Sequence, residues 1–165
     1  MTRIHLLCCA TYLIAALCGC SQDVTSTALQ TDDKLIQGTW EVVSAKINGE
    51  SFPVEGQVDI HIGGRYVFDG AELTKFPNPQ FPGVTQDGSL HRYLIDATKT
   101  PKQIEMQLEQ DGLRGPWPPE KAIYKLEKDS LVLCWSMDFG EAPKEFASTD
   151  GNNIGLYELK RLEYR

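Results

Sequence analysis

Cysteine is almost absent from the body of this chain. Four of the five cysteines crowd the N-terminus, and only Cys134 lies beyond Cys20. A single cysteine cannot form an intramolecular disulfide, so no disulfide framework is expected to hold the fold together. Cys134 follows the apolar run Leu131-Val132-Leu133 and has no cationic neighbour in sequence. We therefore predict a small buried side chain rather than a catalytic thiol.

Positive charge is also scarce. The chain has 16 Lys and Arg against 23 Asp and Glu, which gives a formal net charge of −7. Nucleic-acid binding relies on a basic surface that neutralises phosphates, and no basic run offsets this acidic balance. The sequence therefore predicts no nucleic-acid partner and no adsorption to an anionic bilayer by charge alone.

Sustained helical periodicity and catalytic signature motifs are missing as well. Gly63-Gly64 leads into a β-patterned run, whereas a phosphate-binding loop opens a helix. Ser89 lacks the strand–turn–helix setting of a nucleophile elbow. These absences argue against α/β folds and the enzymes that use such motifs. We predict a protein that is not an enzyme and that carries no cofactor.

The long apolar run that the chain does have lies at its N-terminus. Residues 6–17 are apolar, Arg3 precedes them, and the first acidic residue is Asp23. This run is too short to span a bilayer comfortably and fits the hydrophobic region of a signal peptide. An ordinary secretory signal with chance cysteines is the plain interpretation of this segment.

The end of that segment, Leu17-Cys18-Gly19-Cys20, resembles a bacterial lipoprotein signal. The resemblance implies cleavage before Cys20 and acylation of its thiol, so that two or three acyl chains hold the protein firmly on a membrane. Ser21 in place of aspartate does not signal retention at the inner membrane, by analogy with that class. We predict an exported, anchored protein that faces the periplasm or lies at the cell surface.

These features divide the chain into three parts. Residues 1–19 are the predicted signal peptide, and residues 20–34 form a predicted lipidated tether that is polar and without periodicity. Residues 35–165 form the predicted folded domain. Its runs of about four to ten residues alternate with turn residues, which is typical of β-strands.

About nine short strands follow at roughly ten-residue spacing, as in an all-β barrel or sandwich. The first predicted strand, Gly38–Ile47, ends at the hairpin pair Asn48-Gly49. Two long proline-containing loops, at residues 77–88 and 111–120, interrupt the pattern. The remaining predicted strands are 57–62, 65–68, 72–76, 90–96, 103–109, 122–126, 131–135 and 154–162.

Several blocks carry a family resemblance. They are Leu35-Ile36-Gln37-Gly38-Thr39-Trp40-Glu41-Val42-Val43-Ser44 with Asn48-Gly49-Glu50, then residues 101–105, 123–126, 130–134, 143–146 and 156–161. From Leu35 to Arg161 the chain resembles the lipocalin-like domain common in planctomycete lipoproteins. The resemblance implies an antiparallel lipocalin-like β-barrel of about eight to nine strands. It implies no reaction.

The broader resemblance to lipocalins implies how one end of the barrel is closed. In such barrels the tryptophan of Gly-x-Trp is covered by a basic side chain from the last strand, and the matching residues here are Gly38, Trp40 and Arg161. A guanidinium over an indole is a cation–π contact worth roughly 0.5–2 kcal/mol. The resemblance thus gives these three residues a structural role.

Aromatic residues near the predicted strand ends and loops are candidates for ligand contact: Phe76, Phe81, Trp117 and Trp135. The leading hypothesis is a non-catalytic module that holds a small apolar or amphipathic ligand in the barrel, between the two long loops. The alternative is a structural or protein-interaction module whose barrel is filled by side chains. An enzyme of unknown reaction comes third.

A metal site has one local candidate. Asp59 and His61 lie two residues apart, so they share the polar face of a predicted strand. A complete site would need a further ligand, such as His91, Glu55 or Asp96. Because solvated strand faces commonly show this pattern, we predict that no metal is bound.

Overall fold

The computed structural model describes residues 31–52, 62–81, 83 and 86–163. Most of the strand predicted at residues 57–62 lies outside these ranges. The elements are α1 (Asp32–Leu35), β1 (Gly38–Ile47), β2 (Glu50–Phe52), β3 (Arg65–Asp69), β4 (Glu72–Phe76), β5 (Ser89–Asp96), β6 (Gln103–Gln110), β7 (Leu113–Arg114), β8 (Glu120–Leu126), β9 (Ser130–Ser136) and β10 (Ile154–Arg161).

The strands form a closed antiparallel barrel. Their order is β10-β9-β8-β6-β5-β4-β3-β1, and pairing of β1 with β10 closes the ring of eight. Two short strands lie outside the ring, since β2 pairs with β1 and β7 pairs with β6. The predicted all-β, lipocalin-like barrel of eight to nine strands is confirmed in its architecture.

Strand β1 contains a β-bulge at the point where its pairing partner changes. Its first half pairs with β3 and its second half with β2, while β10 runs along its other side. The register shifts between Val42 and Ser44, and Val43 lies exposed at that point. The extra residue resets the two-residue alternation, so Trp40, Val42 and Ala45 all belong to the core.

The barrel interior is filled by large side chains over most of its length. Its core cluster contains the aromatic residues Trp40, Phe68, Tyr93 and Tyr124 and the aliphatic residues Leu73, Ile104, Met106, Leu131, Leu133 and Leu159, with exposed fractions of 6% or less. This packing supplies the apolar burial that stabilises a domain without disulfides.

A small second core lies outside the barrel wall. Ala122 and Tyr124 point inward, so the intervening Ile123 points outward, where it pairs with Cys134. Both residues are fully buried, and the Cys134 thiol donates to the Glu145 carbonyl at 3.6 Å. Burial raises the pKa of Cys134 to about 11, so this thiol stays protonated and packs as a small apolar group, as predicted.

Helix α1 begins inside the segment predicted as tether and is tied to the barrel. The Asp32 carboxylate accepts from Lys102 Nζ at 2.7 Å and from the Tyr124 hydroxyl at 2.6 Å. Partial burial opposes ionisation, but these two donors hold the pKa of Asp32 below its usual value. The packed structure therefore includes Asp32. In the described ranges, no helix is long and apolar enough to cross a bilayer.

Candidate functional site

The end of the barrel next to α1 is closed by the three residues that the lipocalin resemblance singles out. Trp40 is fully buried, and its indole N–H donates to the Ile36 carbonyl at 2.7 Å. Register places Arg161 opposite Trp40, and the guanidinium carbon lies 4.1 Å from the indole centroid. Gly38 has a φ of +111°, and a Cβ there would lie 3.1 Å from Arg161 Nη1.

Arg161 also joins separate segments at this end, which we call the closed end. Its Nε donates to the Lys128 carbonyl at 2.8 Å, its Nη1 to the Gln37 carbonyl at 2.6 Å, and its Nη2 to the Leu35 carbonyl. These bonds bring the β8–β9 turn, the chain after α1 and the last strand together. The closed end is thus sealed by protein groups.

The opposite end, which we call the mouth, holds a polar pair inside the barrel. It lies where β4 and β9 end and where β5 and β8 begin. Leu73 points inward on β4, and the same alternation turns Lys75 inward as well. Lys75 Nζ lies 2.5 Å from Glu120 Oε2, and the two side chains are only 13% and 24% exposed.

Aromatic rings surround this ion pair. Lys75 Nζ lies 5.7 Å from the Tyr66 centroid and 5.4 Å from the Trp135 centroid, within range of cation–π attraction. Trp135 in turn stacks on Tyr157 at 4.2 Å. Burial, with Tyr157 and Glu120 nearby, raises the pKa of Tyr66 well above its usual value, so its hydroxyl stays neutral.

His91 lies in the same inner layer and has one ring nitrogen without a partner. It is 4% exposed, and its Nε2 lies 3.2 Å from Ser89 Oγ. Its Nδ1 is buried and has no hydrogen-bond partner in the part of the chain that the structure describes. Burial and the Lys75 charge lower the pKa of His91 to about 4, so the imidazole is neutral at neutral pH.

We call these residues the mouth cluster: Tyr66, Lys75, His91, Glu120, Trp135 and Tyr157. It combines one cation, one anion, a neutral imidazole and three aromatic rings. The Ser89–His91 contact is a poor basis for nucleophilic catalysis, since a general base is most effective with a pKa near the working pH. The arrangement is suited to stacking and hydrogen bonding with a bound molecule.

Most of the aromatic residues predicted to contact a ligand lie elsewhere. Phe76 is on the outer face of β4, where the Arg65 guanidinium carbon lies 5.8 Å from its ring centroid. Phe81 follows β4 and is half-buried, and Trp117 is 57% exposed and stacks nearly parallel on Phe139 at 6.2 Å. Of the four predicted aromatics, Trp135 alone belongs to the mouth cluster.

The metal candidates are not brought together by the described structure. Asp59, His61 and Glu55 lie outside the described ranges, as does Cys20. Asp96 is at the β5–β6 turn, where its carboxylate accepts from the Thr98 amide at 3.0 Å, at the other end of β5 from His91. Within the described ranges, no group of three or more His, Cys, Asp and Glu could hold a metal ion.

Sequence reasoning missed the two charged residues of the mouth cluster. The signal for Lys75 was present, since it lies two residues after Leu73 in a strand whose alternation points both inward. Glu120 carried no such signal, because it sits at the end of a predicted loop and becomes the first residue of β8.

Comparisons with protein-family models, with curated proteins and with solved structures give no match.

Proposed function

We propose that this chain is a lipid-anchored protein of the bacterial cell envelope whose lipocalin-like barrel binds a small amphipathic ligand at its mouth, without catalysis. The Lys75–Glu120 pair inside the mouth is the observation that carries the proposal. Replacing a buried ion pair by apolar residues of similar size is often neutral or stabilising. Stability therefore gives little reason for this pair, and departures from apolar packing concentrate at functional sites.

The packed interior limits how deep a ligand can enter. Leu73, Met106 and Leu133 are fully buried in the barrel core. At the rim, by contrast, Glu120 is partly accessible and Ser89 is exposed. A ligand would therefore sit shallowly, with its polar group against the ion pair and its apolar part along the rings of Trp135 and Tyr66.

The described chain begins beside the closed end of the barrel. Asp32, close to the proposed tether, is bound to Lys102 and Tyr124 beside the closed end. A tether from Cys20 to that point has a maximum reach of roughly 40 Å. The tether therefore joins the barrel at its closed end, and the mouth lies at the other end.

The anchor is tested by replacing Cys20 with alanine. We expect a full-length precursor that incorporates no labelled fatty acid, because the thiol that accepts the acyl chains is gone. Metabolic labelling followed by membrane fractionation measures this result. Cys134→Ala is the matched control and should be labelled normally, since the Cys134 thiol is buried in the folded domain. Unchanged labelling of the Cys20 variant would rule out lipidation at this residue.

The mouth is tested by removing its ion pair without leaving a lone charge. We expect Lys75→Met combined with Glu120→Leu to fold with equal or greater stability, yet to bind amphipathic ligands at least roughly tenfold more weakly. Tryptophan emission and native mass spectrometry during titration with fatty acids, fatty alcohols, retinoids and haem measure the binding. A Trp117→Phe background leaves Trp135 as the reporting indole, because Trp40 is sealed at the closed end.

The outer surface offers a matched control for this double variant. Lys121 and Glu141 form an ion pair at 3.0 Å, with exposed fractions of 31% and 91%. Lys121→Met combined with Glu141→Leu should leave ligand affinity unchanged. The proposal fails if the wild-type protein binds nothing in the panel, or if loss of the mouth pair leaves affinity intact.

An exposed aromatic pair favours protein interaction as the second candidate function. Trp117 and Phe139 stack on one another while 57% and 39% exposed, and aromatic rings are enriched in protein interfaces. Leu113 and Met137, in the same two connections, are also exposed. If the titration panel gives no binding, crosslinking from Trp117 in intact envelopes tests this second candidate directly.

A further inference from the structure

We infer that the mouth cluster selects amphiphiles with a neutral, hydroxyl-bearing head group over those with a carboxylate or an ammonium. This inference rests on the proposed function and adds the chemical class of its ligand. Three features of the cluster favour this class of ligand: its paired charges, the unpartnered ring nitrogen of His91 and the aromatic side chains around the ion pair.

The paired charges offer no net attraction to a charged head group. Lys75 Nζ and Glu120 Oε2 are 2.5 Å apart, so a group that touches one atom also lies close to the other. A ligand carboxylate near Lys75 would be repelled by Glu120, and an ammonium near Glu120 would be repelled by Lys75. Either ion would still lose its hydration on entering the mouth. A neutral hydroxyl avoids both costs.

A hydroxyl group could pair with the buried Nδ1 of His91. A neutral imidazole has one donor and one acceptor, and Nε2 already contacts Ser89 Oγ at 3.2 Å. The buried Nδ1 is then either a donor or an acceptor without a partner in the described residues. A hydroxyl can both donate and accept, so it satisfies Nδ1 in either tautomer. A carboxylate only accepts and an ammonium only donates.

The aromatic side chains of the mouth cluster suit the apolar part of such a ligand. Tyr66, Trp135 and Tyr157 are at most 8% exposed and line the inside of the wall around the ion pair. The Tyr66 hydroxyl and the Trp135 indole N–H can add hydrogen bonds, and the two rings offer apolar contact. The ligand class is thus a small alcohol or polyol joined to an apolar chain or ring.

Three amphiphiles with the same chain length test this inference on the wild-type protein: glycerol monolaurate, laurate and dodecylammonium. Titrations by tryptophan emission at neutral pH, below micelle formation, should show glycerol monolaurate bound at least roughly tenfold more tightly than either ion. Laurate or the ammonium bound equally or more tightly would overturn the inference. So would binding of retinoic acid or haem, which carry carboxylates, with no binding of the monolaurate or of retinol.

Single charge changes extend the test. Glu120→Gln should raise the affinity for laurate at least roughly tenfold, and Lys75→Gln should do the same for the ammonium, because each leaves one charge unpaired. Glu141→Gln on the outer surface is the control and should change neither. If a mouth variant does not fold, the wild-type comparison still decides. Absence of binding to every amphiphile, retinoid and haem would instead refute the proposed function itself.

Discussion

Replacing Trp40 with alanine is expected to lower the free energy of unfolding by about 3–5 kcal/mol, the range for a fully buried tryptophan. The side chain is 0% exposed, so its removal leaves a cavity that the closed end cannot easily fill. The change also removes the hydrogen bond to the Ile36 carbonyl and the surface on which Arg161 rests.

Urea unfolding followed by circular dichroism measures this loss. Trp117→Ala is the matched control, and it should cost about 1 kcal/mol or less because that indole is more than half exposed. Ligand affinity at the mouth should persist in the Trp40 variant wherever it remains folded. A Trp40→Ala protein of normal stability that loses ligand binding would contradict the structural role assigned to the closed end.

Replacing Arg161 with alanine is expected to destabilise the barrel by roughly 2–4 kcal/mol. The change removes a cation–π contact worth roughly 0.5–2 kcal/mol and leaves three backbone carbonyls without a charged donor. Because Arg161 is only half-buried, water can hydrogen-bond to some of these carbonyls after the change. The expected loss of stability is therefore smaller than the sum for three fully buried hydrogen bonds.

The planar fork of Arg161 is expected to matter more than its charge. Arg161→Lys keeps a cation over Trp40, but one ammonium cannot reach the carbonyls of Leu35, Gln37 and Lys128 together, so it should recover less than half of the stability. Lys160→Ala, on the same strand and exposed, is the control and should change stability by about 0.5 kcal/mol or less. Equal stability of the alanine and wild-type proteins would refute this account.

Local patterns were enough to predict most strands. The alternation of Ile104, Met106 and Leu108 predicted β6 nearly to its ends, and Asn48-Gly49 predicted the first hairpin. Such signals depend on neighbours in sequence, because one buried face fixes the two-residue period. They could not reveal the bulge at Val43, which lies where β1 passes from pairing with β3 to pairing with β2.

The short helix α1 illustrates the same limit. Its polar residues predicted a tether from sequence. Their place in the folded domain depends on Lys102 and Tyr124, which lie far along the chain and donate hydrogen bonds to Asp32. The contact between Trp40 and Arg161 was expected from the family resemblance alone, since no local pattern links residues at the two ends of a domain. Closure of the ring is what brings them together.

The candidate site was harder to predict than the fold. Polar residues on a strand drew attention to Asp59 and His61, whereas the described structure gathers Lys75, His91 and Glu120 from three strands. No sequence spacing joins β4, β5 and β8, because their ends meet through the closure of the barrel. An inward-facing lysine such as Lys75 is the one local sign, since alternation places it among core positions.

A two-dimensional amide and indole NMR titration with glycerol monolaurate tests the central claim most directly. The account predicts chemical-shift changes at Lys75, His91 and Glu120 and at the Trp135 indole, with Trp40 and Arg161 unaffected. Shifts confined to the closed end, or to the outer Trp117–Phe139 stack, would contradict it.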